Sequence, residues 1–189
     1  MTTWVYAEER TAEGILAGIQ SGHVTISYAP SAARIDFSAD ADSDGIYETI
    51  VGDAIDHPPG QAIAFRIQAV SSPESMPATE GAYYDLHELT AGDEERTTHY
   101  LNELLPLFCS LSGEDSNNLY GLGIYKNGRV VTVLLLCGLT TVTFSDIPEP
   151  SLPTYYRVEL YGRTHREPLY TMLYGMEIGL TNPIYINYH

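Results

Sequence analysis

The residues of this sequence whose types and spacing best suit chemistry form a short acidic segment, Asp40-Ala41-Asp42-Ser43-Asp44-Gly45. Three carboxylates at alternate positions followed by glycine are typical of the start of a calcium loop, because Ca²⁺ takes about six to eight oxygen ligands and the glycine permits a sharp turn. Glu48 then falls at the ninth loop position, and the twelfth is Val51 instead of a bidentate acid. With Asp53 as a substitute, the sequence predicts a structural Ca²⁺ site formed by Asp40, Asp42, Asp44, Glu48 and Asp53.

The same acidic segment is also typical of a plain turn between two strands. Asp-Gly is a common turn pair, because aspartate bonds to nearby backbone and glycine accepts a positive φ. Carboxylates that face water in such a turn need no ion. The sequence leaves both interpretations open, and the segment is structural in either, so no cofactor is required.

Spacings that mark other catalytic or metal centres are missing from the sequence. None of the six histidines forms an H-x-H or H-E-x-x-H pair, and neither a G-x-S-x-G motif nor a glycine-rich phosphate loop is present. Cys109 and Cys137 lie among apolar residues and are predicted to be core thiols. We therefore predict no catalytic residue on this chain.

Charge and hydropathy exclude several kinds of partner. The 189 residues include 25 acidic and 9 basic side chains, for a net charge of −16. Such a chain is a poor ligand for nucleic acid or for anionic lipid, since both are bound through Lys and Arg. No run of about 18 apolar residues could span a membrane, and the first residues do not have the pattern of a signal peptide. The compartment stays undetermined.

Local patterns predict a mainly β protein with few helices. Residues 11–20 predict a short helix, with Thr11 as N-cap and with Ile15, Leu16 and Ile19 on one face. Asn127-Gly128 predicts a type I′ turn between strands 119–126 and 129–137. Further strands are predicted at residues 23–28, 33–37, 46–51, 61–70, 139–144, 155–161 and 182–186.

Two other segments have apolar residues at helical spacing. Residues 93–109 predict a helix, and residues 168–179 predict either a helix or an irregular segment. Seven or more short strands separated by turn signals favour an antiparallel β-sandwich, immunoglobulin-like or jelly-roll-like, with a short N-terminal helix and one or two inserted helices.

Tyrosine is unusually abundant, with 15 of 189 residues. Tyrosine favours strands and interfaces, where its ring is buried and its hydroxyl stays in water. The simpler interpretation places these tyrosines along the sheets of a β domain. A second interpretation is an aromatic face that binds sugars or a partner protein.

Motifs at both ends of the chain resemble one known family. Residues 3–9 (Thr-Trp-Val-Tyr-Ala-Glu-Glu), the helix with Ile15-Leu16, and residues 21–27 (Ser-Gly-His-Val-Thr-Ile-Ser) resemble the stretch that leaves the catalytic domain of PHP-type metal-dependent hydrolases, in the CehA/McbA-like branch. Residues 155–160 and 181–186 resemble the end of the same proteins. The acidic loop with Val51-Gly52-Asp53 fits the start of their appended β domain.

The resemblance implies an accessory role without catalysis. The metal ligands of that family, which begin with H-x-H, would all lie before Thr3, so no catalytic residue is carried over. Residues 1–28 would be the junction from the PHP-like domain (strand, helix, strand), and residues 29–189 would be the β-sandwich. The expected partner is the catalytic PHP-like domain, with domain packing, site access or oligomerisation as the role.

Two alternatives to this accessory role stay open. The first is an independent β-sandwich module that binds carbohydrate or protein and carries a structural calcium ion, and the second is a free-standing enzyme whose site the sequence does not reveal. A homodimer is a further expectation, because the apolar stripe on the N-terminal helix must lie either on the sandwich or on a second copy.

Overall fold

A computed structural model of the chain describes residues 1–30, 33–70, 82–85, 119–137, 140–150, 152–162 and 177–188. These residues form one helix and thirteen strands, so the chain is mainly β, as predicted. In chain order the elements are β1 (Thr2–Val5), α1 (Ala12–Gln20), β2 (Val24–Ser27), β3 (Arg34–Asp40), β4 (Thr49–Ile50), β5 (Ala54–Ile55), β6 (Ile63–Val70), β7 (Ala82–Asp85), β8 (Leu119–Lys126), β9 (Arg129–Cys137), β10 (Thr141–Asp146), β11 (Thr154–Gly162), β12 (Glu177–Thr181) and β13 (Ile184–Ile186).

The strands form two sheets. The larger sheet has the order β1-β2-β12-β11-β8-β9-β7, and β13 pairs with both β11 and β5. The smaller sheet has the order β10-β6-β3-β4. Among the described strands every pair is antiparallel except β13 with β5, which is parallel. The prediction of antiparallel sheets is confirmed, while the choice between an immunoglobulin-like and a jelly-roll-like arrangement stays a prediction.

The core lies between the inner faces of the two sheets. Strand β6 alternates as its sequence predicts, with Ile63, Phe65, Ile67 and Ala69 buried. The Phe65 ring connects the layers, because its centroid lies 4.6 Å from that of Tyr156 in the larger sheet. Packing of these two rings removes apolar surface of both sheets from water and so helps to hold the layers together.

A polar contact also joins the two sheets. The hydroxyl of Tyr156, whose side chain is fully buried, donates to Oδ2 of Asp146 in the smaller sheet at 2.7 Å. The Lys126 ammonium donates to the same oxygen at 2.9 Å and to the carbonyl of Ile147 at 2.8 Å. Burial, then the hydrogen bond to Asp146, raises the pKa of Tyr156 well above its usual value.

The hairpin and the helix form where the sequence predicts them. Strands β8 and β9 have the predicted bounds, and Asn127 and Gly128 have φ values of 50° and 77°, as a type I′ turn requires. Thr11 accepts a hydrogen bond from the Gly14 amide at 3.1 Å and so caps α1. The N-terminal segment also forms the predicted strand, helix and strand, with β1 pairing to β2.

Other predicted elements differ from the structure or lie outside the described residues. The strand predicted at 46–51 is limited to β4, and β5 and β7 were not predicted. The last three residues of the segment 168–179 begin β12. The prediction of a helix that extends to Gly179 is therefore wrong. The helix predicted at 93–109 lies outside the described residues, as does 168–176.

Candidate functional site

The acidic segment forms a loop between β3 and β4 in which four predicted ligands converge. Asp40, Asp42, Asp44 and Glu48 each offer a carboxylate oxygen, and these oxygens all lie within 4.8 Å of one another. Asp40 is buried at the end of β3, and the other three side chains are exposed. Four like charges at this separation repel one another, and a bound cation would relieve that repulsion. The cluster could therefore hold a metal ion.

Hydrogen bonds to backbone fix the shape of this acidic loop. Asp40 accepts from the amides of Asp44 at 3.2 Å and Gly45 at 2.9 Å, and Asp44 accepts from Ile46 at 2.7 Å. Gly45 has a φ of 89°, so glycine supports the sharp turn that the sequence predicts. Each carboxylate keeps lone pairs beyond these bonds, so its oxygens could still ligate a cation that prefers oxygen ligands.

Asp53, the fifth predicted ligand, lies outside this group of four. Its Oδ1 contacts Nε2 of His23 at 2.8 Å, and its Oδ2 accepts from the Ile50 amide at 2.8 Å. Asp53 therefore links the turn after β4 to the residue that precedes β2. Val51, at the twelfth loop position, is fully buried in the core.

The apolar stripe on α1 keeps a large exposed surface. Ile15, Leu16 and Ile19 are 44 %, 58 % and 48 % exposed. Both outcomes left open by the sequence, packing of the stripe within the chain and pairing with a second copy, therefore stay predictions. Strand β1 beside it ends the larger sheet on that side among the described strands.

Helix α1 instead contacts the rest of the chain through its small residues. A side chain at Gly18 would overlap the Tyr6 carbonyl oxygen and lie 2.8 Å from Cγ1 of Val5, and one at Gly14 would overlap the Glu9 carbonyl. The glycines thus let the helix backbone approach the segment after β1, which turns the larger apolar residues outward. Gly14 and Gly18, four residues apart, were the signal that sequence reasoning missed.

Tyr6 and Trp4 anchor this N-terminal segment inside the chain. The Tyr6 hydroxyl donates to Oδ1 of Asp36, and the Trp4 indole donates to Oγ of Ser27 at 3.0 Å. Burial and the neighbouring Asp36 charge raise the pKa of Tyr6. Contacts within the chain half-bury the side chains of Trp4 and Tyr6. The main exposed apolar surface of the N-terminal segment is therefore the stripe on α1.

A second candidate surface is a row of tyrosines on the outer face of the larger sheet. On β11, Tyr156, Val158 and Leu160 point into the core, so the alternate residues face outward. The tyrosine face, as we define it, consists of Tyr125, Tyr155, Arg157, Glu159, Tyr161 and Tyr185. Tyr188 extends the face, since its ring centroid lies 5.1 Å from that of Tyr185.

Arg157 and Glu159 link the middle of the tyrosine face into one polar cluster. Arg157 pairs with Glu159 and lies 4.3 Å above the ring of Tyr125, while the Tyr161 hydroxyl donates to Glu159. Burial acts to raise the pKa of Glu159, but the hydrogen bonds from Tyr161 and Arg157 outweigh it and lower that pKa. Burial, then the bond to Glu159, raises the pKa of Tyr161. Glu159 therefore stays ionised at neutral pH, with its two oxygens held by Arg157 and Tyr161.

Comparison of the chain with protein-family models, with curated proteins and with solved structures finds no match in any of the three. The resemblance to PHP-type hydrolases therefore stays a prediction from the motifs. In the part of the chain that the structure describes, no helix has the length and apolar character needed to cross a membrane.

Proposed function

We propose that this chain is a non-catalytic accessory β-sandwich whose partner is a PHP-like metal-dependent hydrolase domain. The observation that carries the proposal is the outward stripe of Ile15, Leu16 and Ile19 on α1. Exposure of grouped apolar side chains to water is unfavourable, and burial of the helix face against a partner surface removes this unfavourable exposure. The stripe lies within the segment whose motifs resemble the junction of that family, and this coincidence favours a PHP-like domain over other partners.

A substitution in the stripe tests the docking. Leu16→Glu should weaken binding to the PHP-like domain by more than tenfold, because a buried leucine side chain contributes about 1.5–3 kcal/mol and about 1.4 kcal/mol is tenfold. Titration calorimetry with the purified PHP-like domain from the same genome, together with light scattering of each partner alone, measures the effect.

Ser145→Glu is the matched control for this experiment. It adds the same charge at an exposed position of β10 in the smaller sheet, and it should leave binding unchanged. Equal affinity of the Leu16→Glu variant and the wild type would refute docking through α1. If the wild type is a dimer and the Leu16→Glu variant is a monomer, the surface that covers the stripe belongs to a second copy of the chain instead.

We also propose that the cation suited to the acidic loop is a structural Ca²⁺. Support comes from the convergence of Asp40, Asp42, Asp44 and Glu48, whose ligand atoms are all oxygen. A bidentate acid at the twelfth position is replaced by buried Val51, so the affinity should be weak, about 10⁻⁴ to 10⁻³ M.

Thermal unfolding distinguishes this calcium site from a plain acidic turn. At about 10 mM Ca²⁺ the unfolding midpoint should rise by about 3–11 °C relative to EDTA over this affinity range, because binding to the folded state alone stabilises it by mass action. Asp42→Ala, which removes a ligand oxygen, should abolish the rise, and Glu13→Gln, which removes an exposed charge on α1, should keep it. Equal unfolding midpoints in Ca²⁺ and in EDTA would refute the calcium site and support the plain acidic turn.

A second candidate function is an independent module that binds carbohydrate or protein. The tyrosine face favours it, since grouped tyrosines are typical of binding surfaces. This function needs no PHP-like partner, so the titration with that domain separates the two candidates.

A further inference from the structure

A cleft of about 670 Å³ lies beside α1, between the helix and the segment 6–9 that leads into it. The helix lines this cleft with Glu13, Ala17 and its two glycines, none of which belongs to the apolar stripe. The cleft and the stripe therefore occupy different faces of one helix. Glu13 lies at their boundary, because residues three apart on a helix, such as Glu13 and Leu16, are neighbours on its surface. A volume of this size is typical of ligand sites, which have about 300–1,000 Å³.

The free charges of this cleft are glutamates. Two other polar side chains of the lining have partners within the chain, since the Tyr6 hydroxyl donates to Asp36 and the His23 ring contacts Asp53 at 2.8 Å. The lining also has three exposed glutamates, Glu8, Glu9 and Glu13. In the part of the chain that the structure describes, none of these three forms an ion pair. Their carboxylates are therefore available to a ligand.

The charge around the cleft has one sign. Arg10 is the only Lys or Arg in residues 1–30, and it does not line the cleft. A cleft lined by charges of one sign focuses their field and concentrates ligands of the opposite sign. The net charge of the whole chain, −16, acts in the same direction at longer range. A ligand that fits this cleft is therefore cationic.

Charge also distinguishes between the protein surfaces that could cover α1. A two-fold contact with a second copy would bring the same patch of both chains together. The glutamates of the two clefts would then approach one another, and two chains of net charge −16 would repel before contact. A partner surface with Lys or Arg side chains is instead attracted to the glutamates, and its charges complement theirs in the complex.

We propose that the cleft beside α1 binds a segment of the partner protein that is rich in Lys or Arg, while apolar residues of the same partner cover the stripe. This inference rests on the proposed docking through α1 and names the chemistry of the partner surface. Exposed charges at the rim of an interface mainly accelerate association, whereas buried apolar contacts mainly slow dissociation. The contributions of the cleft and of the stripe can therefore be measured separately.

Surface plasmon resonance with the purified PHP-like domain at about 0.1 M and about 1 M NaCl tests the proposal, because the screening length falls from about 10 Å to about 3 Å between them. The wild type should associate at least about tenfold more slowly at the higher salt concentration. Glu9→Lys and Glu13→Lys should each slow association about three- to tenfold at the lower concentration and much less at the higher one. Leu16→Ala, which keeps the charge, should increase the dissociation rate at both concentrations.

Glu149→Lys is the matched control for the two glutamate variants. Glu149 is an exposed glutamate between β10 and β11 and does not line the cleft, so the same charge reversal there should leave the association rate nearly unchanged. Circular dichroism verifies that each variant is folded.

The proposal is overturned if salt does not change the association rate of the wild type, or if Glu149→Lys slows association as much as Glu13→Lys. Faster dissociation of the Leu16→Ala variant would then still support docking through α1. If the wild type does not bind the PHP-like domain, the docking and this inference are both refuted. A wild-type dimer that becomes a monomer on Leu16→Ala would overturn the basic partner in favour of a second copy.

Discussion

Above about pH 10 the free energy of unfolding of this protein should fall steeply. Tyr156 has a pKa raised by burial and by its hydrogen bond to Asp146. In the unfolded chain its pKa returns to about 10, so above that pH the unfolded state loses a proton that the folded state keeps. The slope for one such group is about −1.4 kcal/mol per pH unit. The stabilisation is complete below pH 10 and is lost as the pH rises.

Tyr6 and Tyr161 act in the same direction. Their pKa values are also raised, first by burial and then by Asp36 and Glu159 respectively. Both side chains are partly exposed, so water screens their contribution and Tyr156 should dominate. Urea unfolding at several pH values from 8 to about 11.5, with phenolate absorbance as a second probe, measures the loss.

A conservative variant isolates the contribution of Tyr156. Tyr156→Phe should reduce the alkaline slope by about one proton, because the ring stays in the core and only the hydroxyl is removed. Tyr28→Phe, which alters a tyrosine that is 54 % exposed, should keep the wild-type slope. Identical slopes for Tyr156→Phe and the wild type would contradict the prediction.

Local sequence signals were sufficient to predict the elements that are determined by interactions between neighbouring residues. Asn127-Gly128 accepts positive φ at both positions, Thr11 caps a helix, and alternation in β6 separates core from surface. Pairings between distant segments have no such signal. Strand β12 pairs with β2 across about 150 residues, and two-residue strands such as β5 are defined only by their partners. These parts of the fold depend on tertiary packing that the local sequence does not encode separately.

The candidate site was predictable to the extent that its residues are neighbours in sequence. Asp40, Asp42 and Asp44 are brought together by one loop, and Glu48 follows within it. Asp53 lies only five residues beyond Glu48, yet the turn at Gly52 directs it to His23. The tyrosine face required the register between β8, β11 and β13, so the composition alone predicted an aromatic face but not its members.

The turn at Gly52 leads to the last prediction, that Gly52→Ala is strongly destabilising. Gly52 has a φ of 92°, and an added Cβ would lie 2.6 Å from the Gly22 carbonyl oxygen and would also overlap that of Ser21. The substitution therefore combines a strained φ with overlap between backbone segments, and we expect a loss of about 3–5 kcal/mol. Gly60→Ala is the matched control, because Gly60 has a φ of 77° but nothing within 4 Å of an added Cβ. It should cost only about 1–2 kcal/mol, from the strained φ alone. Urea unfolding of both variants measures the difference, and equal losses would mean that the segment after α1 does not pack against Gly52.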